Sequence, residues 1–133
     1  MRVVLDTNVL LSAIFTRGIC EALLDATIES DAFTVVLSEH ILAEFERHAL
    51  RKFGATPAHA AAAVEFLRRH SQVIAPAHMP ANSCPDRDDL PVLGTAVAGG
   101  VDALVTGDAE LRGLADVRGI PIWSPREFYD RLS

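Results

Sequence analysis

Short apolar, mostly β-branched runs alternate with longer amphipathic stretches along the chain, and this alternation narrows the fold more than any other feature. Arg2–Leu5, Thr34–Leu37, Gln72–Ala75, Ala103–Val105 and Ile120–Trp123 read as five strands. They are short and apolar, as strands covered on both faces of a parallel sheet are. Asn8–Phe15 and Gly18–Glu29 read as helices after the first strand. Ser38 caps a helix running to Lys52, with Ile41, Leu42, Phe45, Ala49 and Leu50 at helical period and Gly54 ending it. Thr56 and Pro57 open the next helix as N-cap and first residue, and Ala60, Val64 and Leu67 share one face. Asp88 or Asp89 opens a helix to Ala98, closed by Gly99-Gly100. Glu110–Leu114 and Pro125–Leu132 read as short helices. Strands alternating with helices predict an α/β fold with a parallel sheet covered on both sides.

The length of 133 residues fits one domain over 1–133, with no repeat, linker or composition break to divide it. Half the residues are hydrophobic, enough for a core. No apolar run approaches the ~20 residues of a membrane span. The stretch MRVVLDTN enters a strand at once, so no secretory signal is expected. Cys20 and Cys84 have no metal-knuckle or disulfide spacing. A cytoplasmic protein with two free thiols is expected. The formal net charge of −6 does not suggest a nucleic-acid binder. Net charge does not report local charge, however, and acids gathered into one site would leave the remaining surface closer to neutral.

The acids are unevenly placed. In the segment CPDRDDLPVL, Asp86, Asp88 and Asp89 crowd into four residues before a helix. A helix N-terminus favours an acid by only about 0.3–1 kcal/mol. Two carboxylates ~4 Å apart repel by about 4 kcal/mol at an effective dielectric near 20. Asp6 directly follows the first strand, and Asp108 lies three residues after the fourth. In open α/β sheets ligands bind beyond the carboxyl ends of the strands. The helix after Asp89 runs antiparallel to the sheet, which brings its start to the same edge. Glu44 lies two turns into the helix after the second strand. Acids converging there call for a hard dication, and oxygen-only ligands suit Mg²⁺ or Mn²⁺ rather than Zn²⁺.

The ordered set VVLDTN, SEHILAEF, PDRDD and LVTGDAEL resembles the PIN-domain ribonucleases, and most closely the VapC-like branch described as toxins of toxin–antitoxin pairs. The resemblance covers nearly the whole chain. It implies a three-layer α/β/α sandwich with a five-stranded parallel sheet. It also implies a Mg²⁺- or Mn²⁺-dependent endonuclease that cleaves single-stranded RNA to 5′-phosphate and 3′-hydroxyl ends. The family's four acids fall on Asp6, Glu44, Asp89 (counted back from Ala96) and Asp108, as metal ligands and catalytic groups. Asn8 and Thr106 match supporting polar positions. Glu110 stands where Asp is commoner, and Asp86 and Asp88 rival Asp89 for the third position. A small antitoxin partner and a homodimer are further implications.

Each residue also has a plainer reading. Asp6 and Asp108 can serve as helix caps, and Glu44 as a solvated helix residue. Of the Asp trio, one is expected to bind metal and one to cap the helix. Arg47, Arg51 and Lys52 form a basic stretch that suits RNA or simply solvent. His40, Glu44 and His48 lie four apart, a spacing that invites zinc but lacks a third strong ligand motif. Phe45, Phe53 and Phe66 are expected in the core. A non-catalytic interaction module is the alternative function. An aspartate-nucleophile phosphatase fits less well, because Asn8 replaces the second acid of its motif and Lys52 is the only lysine.

Overall fold

The computed structural model describes residues 1–132. The sheet contains β1 (Arg2–Leu5), β2 (Thr34–Leu37), β3 (Ser71–Val73), β4 (Ala103–Val105), β5 (Asp116–Val117) and β6 (Ile120–Trp123). Their spatial order is β3-β2-β1-β4-β6-β5. Five strands are parallel, as expected. The sixth, β5, pairs antiparallel with β6 at the edge and corrects the expected count. Arg118 and Gly119 turn between them at φ 49° and 85°, and Gly119 N donates to Asp116 Oδ2 at 2.8 Å. Such a two-residue turn needs positive φ at both central positions, and Gly meets that without strain.

The helices are α1 (Thr7–Phe15), α2 (Ile19–Glu29), α3 (Glu39–Lys52), α4 (Pro57–Arg69), α5 (Leu90–Gly99), α6 (Ala109–Gly113) and α7 (Pro125–Tyr129). The apolar stripe of α3 is buried at Ile41, Leu42, Phe45 and Ala49. Ser38 accepts from Ile41 N, Glu39 sits in the first turn, and Arg51 and Lys52 sit in the last. The charges therefore match the helix dipole at both ends. Phe45 is fully buried, but Phe53 and Phe66, expected in the core, are 39% and 38% exposed. Phe53 caps the C-terminus of α3 and covers Phe15, their ring centroids 5.3 Å apart. Phe66 lies instead beside His70.

α5 starts at Leu90 rather than at Asp88 or Asp89. A single 3₁₀ turn, Arg87–Asp89, precedes it, and Asp86 caps that turn by accepting from Asp88 N at 2.9 Å. α5 then packs on β1, β2 and β4. Its contact with the chain after β3 is very close. Gly94 O accepts from Ala77 N at 2.9 Å, and a Cβ on Gly94 would sit 2.2 Å from Ala77 O. Glycine is required there for space, because its neighbour is backbone. Beneath α5, the buried hydroxyls of Thr95 and Ser38 share a 2.9 Å hydrogen bond, which ties α5 to the cap of α3.

Gly94→Ala should destabilise the protein by about 1–3 kcal/mol, the usual cost of overpacking. Urea unfolding measures this, and an unchanged midpoint would contradict the packing described.

Candidate active site

β1 has β2 on one side and β4 on the other, so the chain direction across the sheet switches at the β1–β4 pair. Their register places Leu5 opposite Val105, and the next residues are Asp6 and Thr106. Asp6 N continues the ladder by donating to Val105 O at 2.9 Å. Both strands thus deliver polar side chains to the crevice where α/β sheets bind ligands.

A hydrogen-bond network locks this edge. Thr106 Oγ1 donates to Asp6 Oδ2 at 2.8 Å and accepts from Asp108 N at 3.0 Å. Gly107 N donates to Asn8 Oδ1 at 2.9 Å. Asn8 Nδ2 lies 3.4 Å from both Asp6 Oδ2 and Thr106 Oγ1. Asp6 also caps α1 through Thr7 N at 2.7 Å, and Asp108 caps α6 through Glu110 N at 2.8 Å. Each carboxylate spends its Oδ1 on the cap; Asp6 Oδ2, held by Thr106, keeps a further lone pair, and Asp108 Oδ2 has no hydrogen-bond partner among the described residues. Capping and ligand binding therefore do not exclude one another here.

Asp6, Glu44, Asp86, Asp88, Asp89 and Asp108 line one open cavity of about 360 Å³. Thr7 Oγ1 donates to Glu44 Oε1 at 2.7 Å, fastening α3 to the start of α1. Glu44 Oε2 is 3.8 Å from His40 Nε2 and 3.9 Å from Arg47 Nη2. Asp89 occupies the cap position of α5 yet makes no capping hydrogen bond, which leaves its carboxylate uncommitted. Glu110 is exposed and outside this cavity. Of the three basic residues, Lys52 lines the cavity, whereas Arg47 and Arg51 do not. His48, one turn beyond Glu44, lines it too. In the sequence His48 stands out only as part of the zinc-like His40–Glu44–His48 row, yet that four-residue spacing also puts it on the Glu44 face.

The electrostatics follow from this crowding. Burial pushes the Asp6 carboxyl up, the Thr106 hydroxyl and Thr7 N–H partly offset that, and the charges of Glu44 and Asp108 push it up again. Burial raises Asp89 to about 7, with the charges of Asp6, Asp108, Asp86 and Glu44 adding to it. Burial lowers His48, as do Lys52, Arg47 and Arg51, against the pull of Glu44. Its Nδ1 is buried without a hydrogen-bond partner, so the neutral ring best carries its proton on Nε2.

The donor set is all oxygen and strongly anionic, which fits Mg²⁺ or Mn²⁺. Among the described residues no three His, Cys, Asp or Glu side chains close on a common point, the His40–Glu44–His48 row included. That disfavours an all-protein cage such as structural zinc requires. It still suits magnesium, which keeps several waters and takes one or two carboxylates.

In the folded protein Asp89 keeps its proton to about pH 7, against an ordinary value of 3.8. Between those values the native state binds more protons than the unfolded chain, so this residue's contribution to stability falls as pH rises. Above pH 7 the full cost of a buried charge among other acids acts. Asp89→Asn should therefore stabilise the metal-free protein at pH 8 by on the order of 1 kcal/mol, after allowing for solvent screening. The gain should vanish near pH 4. Denaturant unfolding in EDTA at the two pH values tests this, and an equal effect at both would contradict it.

Comparison with known proteins adds the relationship. A family model described as PIN domain matches residues 2–110. Among solved structures, a chain in the crystal structure of VapBC2 from Rickettsia felis, bound to a DNA fragment from their promoter, is similar at TM-score 0.66 and 15% identity. That match covers 93% of this chain and 98% of the other. PAE2754 from Pyrobaculum aerophilum is similar at TM-score 0.64 and 16% identity, covering 99% of this chain and 89% of the other. No curated protein matches by sequence. At these identities the structural likenesses show a shared fold. The family model spans most of the chain, and with the acids gathered at the β1–β4 edge it leads to one conclusion: the chain belongs to the PIN domain family, a family of nucleases.

Proposed function

We propose that the protein is a Mg²⁺- or Mn²⁺-dependent endoribonuclease acting on single-stranded RNA, and the toxin of a toxin–antitoxin pair. The observation that carries the nuclease reading is the convergence of Asp6, Glu44, Asp89 and Asp108 on one cavity. The likeness to a VapBC2 chain supports the toxin reading and a small antitoxin partner. A homodimer and a cytoplasmic location belong to the same proposal. No helix among the described residues is long and apolar enough to cross a membrane.

In this reading Asp6, Asp89, Asp108 and Glu44 surround the cation, one or two of them binding it directly and the others reaching it through its waters. When bound, the ion polarises the scissile phosphate and lowers the pKa of a water. Thr106 and Asn8 keep Asp6 aimed into the cavity. Asp89, raised to about 7 by burial and the neighbouring acids, would release the proton it partly holds at neutral pH to solvent when the cation binds. Glu44, braced by Thr7, orients the attacking water and accepts its proton. Lys52 and the Nε2–H of His48 face the acids from α3 and contact phosphate oxygens, offsetting the repulsion between RNA and carboxylates. Asp86 caps the turn that presents Asp89, and Asp88 adds negative field.

Purified protein should cleave a single-stranded RNA in Mg²⁺ or Mn²⁺ but not in EDTA, leaving 5′-phosphate ends. Asp6→Asn and Asp108→Asn should each lose at least about a hundredfold in rate. Equal cleavage by wild type and mutants, or cleavage in EDTA, would overturn the enzyme reading. Induced expression should arrest growth with wild type and spare it with Asp6→Asn. Unaffected growth beside active cleavage would remove the toxin reading alone.

A further inference from the structure

A second cavity of about 400 Å³ opens beside the acid cavity, and Asn8 and Asp108 line both. Its other walls come from separate parts of the chain. Val9 and Ser12 lie one turn apart on α1, Cys20 is in the first turn of α2, and Pro125 starts α7. Val9 is almost wholly buried, so Cys20 and Pro125, both half-buried, supply most of the apolar face. The size falls within the range of small-molecule sites, about 300–1,000 Å³.

The lining selects the kind of occupant. It includes no lysine, arginine or histidine. The Asp108 carboxylate at the shared edge disfavours a phosphate. A flat, uncharged group suits apolar walls with Ser12 and Asn8 as polar points. A base turned out of its stack can be held between aromatic or apolar side chains and read by hydrogen bonds to its edge. His48 and Lys52, which line the acid cavity but not this one, serve the phosphate in the proposed function.

We propose that this cavity receives the base of a nucleotide adjoining the scissile phosphate and gives the enzyme its base preference there. The inference rests on the ribonuclease reading and adds a subsite to it. Asn8 joins the two cavities: Gly107 N holds its amide oxygen, and its amide nitrogen faces the Asp6 carboxylate. A base seated against Pro125 and Cys20 would thereby be held in register with the phosphate at the acids. Cys20 is half-buried and free, and it is no part of the acid network, so its substitution probes the cavity alone.

The test uses a single-stranded RNA with a mapped cleavage site in Mn²⁺, and two copies lacking the base on one or the other side of the cut. Wild type should lose about tenfold or more in kcat/KM on one of the two abasic copies, as an emptied pocket predicts. Cys20→Trp, which fills the cavity, should lose a similar factor on the intact RNA and little more on that abasic copy. Losses that simply multiply, or no loss from either deletion, would overturn the subsite while leaving the nuclease intact. A second measurement needs neither a mutant nor turnover. Nucleoside monophosphates titrated into wild type should shift the amide NMR signals of Ser12, Cys20 and Gly107, and ribose 5-phosphate should not. Equal shifts from the baseless sugar phosphate would contradict base binding, and a protein side chain as the occupant predicts no base dependence in either assay.

Discussion

Burial of crowded carboxylates at one sheet edge, with the repulsion between them, is the constraint around which this molecule is arranged. Burial alone makes a charged Asp6 costly, and its neighbours make it costlier. Asp89 meets the same field from four other acids. A protein evolved only for stability would replace such a cluster, since one uncharged substitution relieves it. Strongly perturbed groups gathered in a cleft mark functional sites.

The fold meets that cost with rigidity. Parallel pairing of β1 and β4 sets Asp6 and Thr106 side by side, and hydroxyl and amide donors then hold the carboxylate oxygens. The helix caps at Asp6 and Asp108 contribute twice, closing α1 and α6 while fixing the orientation of each carboxylate. Glu44 reaches the site from α3 and is fastened by Thr7. The burial of Ile41, Leu42, Phe45 and Ala49 is what holds α3 in place for that contact. Packing of the core thus decides where the acids point.

Much of this was legible in the sequence because strand ends carry their own signal. VVLD and LVTGD each join an apolar run to an acid, and a parallel sheet brings such ends together. The choice among Asp86, Asp88 and Asp89 was not legible. Spacing cannot show which carboxylate spends itself on a cap, and here Asp86 caps the 3₁₀ turn while Asp89 at the next cap position stays uncommitted. β5 escaped because two residues show no alternation, and Arg at positive φ gives no turn signal of the Asn-Gly kind. The second cavity was invisible for a different reason: α1, α2 and α7 form its walls, and no local pattern reports their packing. Phe53 and Phe66 misled because helical spacing identifies a face but not whether that face is covered.

These buried acids share a field that a bound dication would discharge. Carbon-13 NMR titration of the aspartate side-chain carboxyls measures the combined effect of burial and that field at Asp89 itself. The account predicts a midpoint near 7 for Asp89 without metal, and a midpoint lower by two or more units, about the shift of an acid beside an opposite charge, with saturating Mg²⁺. A midpoint near 4 that magnesium leaves unmoved would contradict it.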